Sequence, residues 1–198
     1  ALAAAEEALR LARIEPTSIA AYRPPSSAVS EHATNLLAQL QDALKNERLE
    51  LAFQPIVSVV GGDHGQYQTL VRLRDGSGQL HTAAEIVPLA ERAGLVHEID
   101  RRVMTRAIAI LGEQQRSGKE ARLFVPQAAR SLGQDGYAQW LLESLKDLGI
   151  EGSQLVVDVR LADALVHSVL LREFCQRMMA AGVRLCLGQY QTNPEADA

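Results

Sequence analysis

The sequence is poor in the residues that build metal and redox centres. Among 198 residues there are two cysteines and five histidines. Neither type shows the spacing that sets two ligands on one ion, and Cys175 and Cys186 have no C-x-x-C partner. No metal or other cofactor is therefore expected, and both cysteines are read as reduced core thiols. An excess of positive charge is also missing: 20 Lys and Arg stand against 24 Asp and Glu, a net charge of -4. Bulk DNA or RNA binding is not expected from such a chain, although a local basic pocket can still hold a small phosphorylated ligand. No apolar run approaches the roughly 20 residues that span a bilayer, and the first residues lack the pattern of a secretory signal. A cytoplasmic segment with no membrane contact is the expectation. What is present is ordinary globular material, 47% hydrophobic and 22% charged, enough to bury a core.

The chain begins at Ala1 inside a helical pattern and reads as a piece of something longer. Residues 1–13, ALAAAEEALRLAR, are strong helix formers, and Pro16 stops the run. A Pro-Pro stretch with small polar residues follows, read as a linker over 24–30. An amphipathic helix is predicted over 31–46, with Leu36, Leu37, Leu40 and Leu44 on one stripe. Residues 49–60 and 66–74 read as strands joined by the turn residues 61–65, a connection too short for a parallel crossover, so this pair is predicted antiparallel. Helices are predicted at 83–92, 99–117, 137–148 and 166–181, alternating after the first two with strands at 122–125, 154–159 and 183–187. That alternation argues for parallel β-α units, an α/β sheet or barrel. A closed eight-stranded barrel takes roughly 250 residues, more than remain after the linker. A half-built barrel would expose a strand edge and apolar faces, so completion by further chain or by a second copy, a homodimer, is expected.

From Leu36 onward an ordered series of segments carries a resemblance. It comprises a leucine-rich helix, the strand Phe53-Gln54-Pro55-Ile56, a turn, the strand Gln68-Thr69-Leu70-Val71-Arg72, the segment Ala84 to Leu95 containing Pro-Leu-Ala-Glu, Leu148-Gly149-Ile150, and Ala181 to Leu185. This series resembles the EAL family of bacterial cyclic di-GMP phosphodiesterases. The resemblance implies a TIM-like (β/α) barrel with antiparallel first strands, incomplete at its C-terminus here. Residues 31–198 would be its N-terminal part, and residues 1–23 look like the final helix of a preceding GGDEF-type domain.

Members of the family hydrolyse a phosphodiester with divalent ions, and hard ions demand oxygen ligands, mainly carboxylates. At the positions matching those ligands this sequence has Gln68, Pro126, Asp158, Gly188 and Gln189. One carboxylate survives, and proline and glycine offer no side-chain oxygen. The site is therefore read as degenerate and the domain as no enzyme.

Ligand positions are better kept. On β-strand 66–74, Gln68, Leu70 and Arg72 share one face, and Thr69, Val71 and Leu73 the other. Arg72 matches an arginine on a phosphate of cyclic di-GMP, a role suited to its planar donor fork. Gln54, Leu70 and Pro88 match residues lining the base and ribose pockets, and Asp100 matches an acid that accepts from guanine in non-catalytic members. Arg72 paired with a nearby acid is the plainer alternative. Trp140 is expected in the core, and Arg101 and Arg102 at a solvated helix start. The resemblance implies a cyclic di-GMP receptor acting on a protein partner such as a PilZ-type or type IV pilus regulator. The alternative is an interaction scaffold that no longer binds the dinucleotide.

Overall fold

In the computed structural model, residues 27–57, 59 and 65–189 are described. The helix expected over 1–13, the prolines of the linker and the turn residues 61–64 lie outside them. The chain divides into two compact units, 1–38 and 39–198. Helix α1, Ser27–Lys45, begins inside the stretch read as linker. Nothing after Pro25 bars a helix there, because proline restrains only itself and the residue before it. In the second unit, the α1 residues Leu40, Ala43 and Leu44 are buried, the three- and four-residue spacing of one helical stripe.

Strand β1, Leu49–Ile56, pairs antiparallel with β2, Gly65–Arg74, as predicted, with Gln54 opposite Gln68 and Glu50 opposite Arg72. Strand β3, Leu80–Thr82, pairs antiparallel with the end of β2. It is too short for periodicity to reveal. Helices α2, Ala83–Ala93, and α3, Val96–Arg116, follow. Gly94 ends α2 in the left-handed conformation, φ 71, which glycine adopts without steric cost. Then come β4, Ala121–Pro126, short α4, Ala129–Leu132, α5, Tyr137–Asp147, β5, Leu155–Arg160, short α6, Leu161–Val166, α7, Ser168–Ala180, and β6, Arg184–Gly188. The four-residue α4 and six-residue α6 carry too few turns to show a period in the sequence.

The sheet order is β1-β2-β4-β5-β6, with β3 beside β2. β2, β4, β5 and β6 run parallel. Among the described residues the sheet does not close on itself: it is an open, TIM-like arrangement with helices packed on one face. Alternate residues make that face. Val71, Leu73, Leu123, Val125, Leu155, Val157 and Val159 are buried, beneath Ile86 and Leu89 of α2, Val103, Met104, Ala107 and Leu111 of α3, and Leu171, Phe174 and Met178 of α7. At about 25 cal/mol per Å² of apolar surface, this layer supplies the main drive to fold. The strand residues in between face the other way, where the polar positions lie.

No helix among the described residues is long and apolar enough to cross a membrane.

Candidate functional site

The C-terminal ends of the parallel strands bring Pro126, Asp158 and Gly188, three of the positions matched to metal ligands, close together, since parallel register carries one row of residues across the sheet. Pro126 is opposite Asp158, Asp158 opposite Cys186, and Arg160 opposite Gly188. From β2, Gln68 reaches the same row, its Nε2 donating to Asp158 Oδ2 at 3.4 Å. The other carboxylate oxygen, Oδ1, is buried without a hydrogen-bond partner among the described residues. Burial pushes the Asp158 carboxyl above its ordinary range, opposed only in part by the Gly188 amide and the Cys186 thiol. A Cβ at Gly188 would lie 2.5 Å from Asp158 Oδ1. The missing side chain is thus what lets the carboxylate sit as it does. Gln189 follows, exposed, with φ 54, a left-handed conformation that costs a non-glycine residue about 1 kcal/mol.

Among the described residues no three His, Cys, Asp or Glu side chains gather where they could hold a metal ion. One acid with an amide, a proline ring and a bare glycine around it does not fit a hard dication, whose coordination needs several oxygens. The residues present therefore do not support a two-ion hydrolytic centre, and no hydrolytic step follows from them.

The ligand-type residues have separate fates. β2 alternates as expected: Thr69, Val71 and Leu73 are buried, while Gln68, Leu70 and Arg72 are half-buried on the open face. Gln54 stands across from Gln68, exposed. Arg72 donates from Nη1 to the Val71 carbonyl at 2.9 Å and has no acidic partner among the described residues. Glu50, directly opposite it, instead pairs with Arg74, Nε to Oε1 at 2.8 Å and Nη2 to Oε2 at 3.1 Å. The guanidinium of Arg72 thus keeps donors for an anion. Pro88 is exposed within α2.

Asp100 differs from expectation. It is 7% exposed, and its Oδ2 accepts the Ala128 amide at 2.9 Å, while Ser131 also hydrogen bonds to it. Burial, opposed by those bonds, raises its pKa to about 6. The carboxylate expected to face a guanine is spent on the entry to α4. Around it runs a network that sequence reasoning missed. Tyr137 donates its hydroxyl to Gln127 Oε1 at 2.6 Å, and Gln127 Nε2 donates to the Asp100 carbonyl at 3.2 Å and the Pro126 carbonyl at 2.8 Å. The loop after β4 is thereby tied to α3 and α5. Nothing in a single glutamine or tyrosine signals such a link.

Two further expectations change. Trp140 is half-buried, not in the core, and carries the Arg101 guanidinium on its face, 3.3 Å from the ring centroid. α3 starts three residues earlier than predicted, so Arg101 stands within the helix and stacks on the ring, a cation–π arrangement. Cys186 is half-buried beside Asp158, with burial and the neighbouring acid both raising its pKa.

An open sheet with an antiparallel first pair, parallel strands after it and helices packed on one face is the arrangement of an unclosed, TIM-like barrel. The chain belongs to the EAL domain family, whose model matches residues 37–196. It is similar in structure to the FimX EAL domain of Xanthomonas citri in complex with c-diGMP (TM-score 0.77, 26% identity, covering 86% of this chain and 66% of that one). It is also similar to the FimX EAL domain of Pseudomonas aeruginosa bound to c-di-GMP (TM-score 0.75, 30% identity, 82% of this chain and 65% of that one). In sequence it is 28% identical over 156 residues to the cyclic di-GMP phosphodiesterase NbdA of Pseudomonas aeruginosa, covering 78% of this chain and 20% of NbdA. The chain spans about a fifth of the length of the first curated relatives it matches.

Proposed function

We propose that this chain belongs to a non-catalytic EAL protein that takes part in cyclic di-GMP signalling as a receptor, binding the dinucleotide without metal and without hydrolysing it. The observation that carries the reading is a division of charge on the open face. Among the described residues Arg72 is left without an acid, and Asp158, the one carboxylate at the matched metal positions, has one oxygen unpartnered. Fewer carboxylates at the site mean less repulsion of a dianionic ligand, so binding no longer depends on cations. The likeness to FimX domains crystallised with the dinucleotide supports the ligand. The likeness to an NbdA named as a phosphodiesterase makes hydrolysis the point to test.

Calorimetric titration with cyclic di-GMP in EDTA should give saturable heat, unchanged by Mg²⁺, and no linear dinucleotide should form. Hydrolysis in Mg²⁺ or Mn²⁺ would overturn the reading. The burial of Asp100 against Ala128 favours a second reading, a scaffold that has lost the ligand. Absence of heat at high micromolar dinucleotide would select it.

A further inference from the structure

At the opposite ends of the same strands lies a pocket of about 500 Å³. The loop from α3 into β4 contributes Lys119 and Glu120, the start of β4 contributes Arg122, and the connection from α5 into β5 contributes Glu151, Ser153 and Gln154. Since β4 and β5 are parallel, both loops enter at their N-terminal ends, away from Asp158 and Pro126.

The acids and bases of this pocket are used differently. Glu151 Oε2 accepts the Ser153 hydroxyl at 3.5 Å, in a turn that Gln154 closes by accepting the Glu151 amide at 3.1 Å. Glu120 is also engaged. By contrast, Lys119 and Arg122 form no ion pair with an acid among the described residues. Arg122 is half-buried and, among the described residues, fixed by one bond, Nε to the Ser153 carbonyl at 2.9 Å. That bond orients the guanidinium and leaves its terminal nitrogens to donate. Burial and the charge of Arg184, on the same sheet face and across β5, both act against its positive charge. A held, half-buried guanidinium with Arg184 nearby and, among the described residues, no ion pair of its own leaves terminal donors that an oxyanion can take, although the carboxylates of Glu120 and Glu151 line the same pocket.

We propose that this pocket binds a small phosphate-bearing ligand, with Arg122 supplying the planar fork and Lys119 a mobile charge. The site is distinct from the one proposed for the cyclic dinucleotide and does not depend on it. Free phosphate and the phosphate of a nucleotide share the required chemistry.

The test uses the ¹⁵N-labelled 198-residue chain, titrated with inorganic phosphate, adenosine monophosphate or adenosine at an ionic strength held by chloride. Phosphate and the monophosphate should shift the amides of residues 118–122 and 151–154 in a saturable way, and adenosine should not. Tighter binding of the monophosphate assigns a nucleotide, and equal affinities assign phosphate itself. Arg122→Gln should weaken binding about tenfold or more, the scale of a charge-assisted bond, while Arg72→Ala leaves it unchanged. If Arg122→Gln does not fold, the exposed Lys119→Gln serves, with a loss of about threefold or more expected. Shifts that do not saturate, that chloride alone reproduces, or that survive both substitutions would overturn the proposal.

Discussion

The corner where β2 turns into β3 and α2 and the mouth at the C-terminal ends of the strands are both rich in polar side chains, but they use hydrogen-bonding capacity in opposite ways. At the corner every oxygen of two acids is employed. Asp75 Oδ1 accepts the Ser77 amide at 2.9 Å, its hydroxyl at 2.6 Å and the Gln79 amide at 2.9 Å. Asp75 Oδ2 faces His81 Nε2 at 3.2 Å. His81, 1% exposed, turns its other nitrogen to Glu85 Oε1 at 3.1 Å. Glu85 Oε2 accepts both the amide and the hydroxyl of Thr82, at 2.8 and 2.9 Å. At the mouth, among the described residues, Arg72 lacks an acid and Asp158 holds an unpartnered buried oxygen. The difference teaches where each region's free energy goes. A satisfied network locks a turn to a helix, and an unsatisfied one keeps capacity for something that is not part of the chain.

Damage to the satisfied network should have the largest effect. His81→Leu strands two carboxylates and should cost about 3 kcal/mol in urea unfolding; a loss below about 1 kcal/mol would mean the corner carries no special weight. Its pH dependence has a definite sign. Burial alone would lower the His81 pKa, but Glu85 and Asp75 raise it above 6.5 overall. Its contribution is then complete below 6.5 and lost as pH rises through the folded value. Glu85, held at about 2 first by the Thr82 amide and then by His81, contributes above its ordinary 4.5 and loses that as pH falls through about 2. The stability gap between wild type and His81→Leu should therefore narrow on raising the pH past neutrality.

Next in size is Arg72→Ala at the mouth. It should lower cyclic di-GMP affinity in calorimetry by about 2 kcal/mol, the worth of a charge-assisted contact, with unfolding unchanged. Equal affinities would show that the open face is not the ligand site.

Asp158→Asn should move the other way from His81→Leu. Removing a raised-pKa, half-buried charge with an unpartnered oxygen should gain up to roughly 1 kcal/mol near neutral pH, with ligand affinity retained. A loss of stability would reveal a donor to that oxygen.

Gln68→Glu replaces a donor to Asp158 by a second negative charge. It should cost about 1 kcal/mol of stability, weaken dinucleotide binding in EDTA and produce no linear dinucleotide with Mn²⁺. Turnover by this single variant would revive the enzyme reading.

The smallest effect is expected from Gly188→Ala, whose Cβ must displace the Asp158 carboxylate. The carboxylate can rotate, so the cost should stay below about 1 kcal/mol, read from thermal unfolding.

The antiparallel opening pair, the parallel units after it and the alternation along β2 were all legible in the sequence. They follow from turn length and from period-two burial, which involve neighbours along the chain. That Pro126 and Gly188 bring no side-chain oxygen to the strand ends beside Asp158 was legible for the same reason, since residue type alone decides whether an oxygen exists. Other outcomes depended on which side chain arrives opposite which. Glu50 lies across from Arg72 yet bonds Arg74. Asp100 turns inward to the Ala128 amide. Arg101 covers Trp140, and Cys186 comes to stand beside Asp158. Those pairings were decided only in the tertiary structure, because register across strands and the approach of helices distant in sequence select the partner, and a charge or a donor carries no mark of which group it will meet.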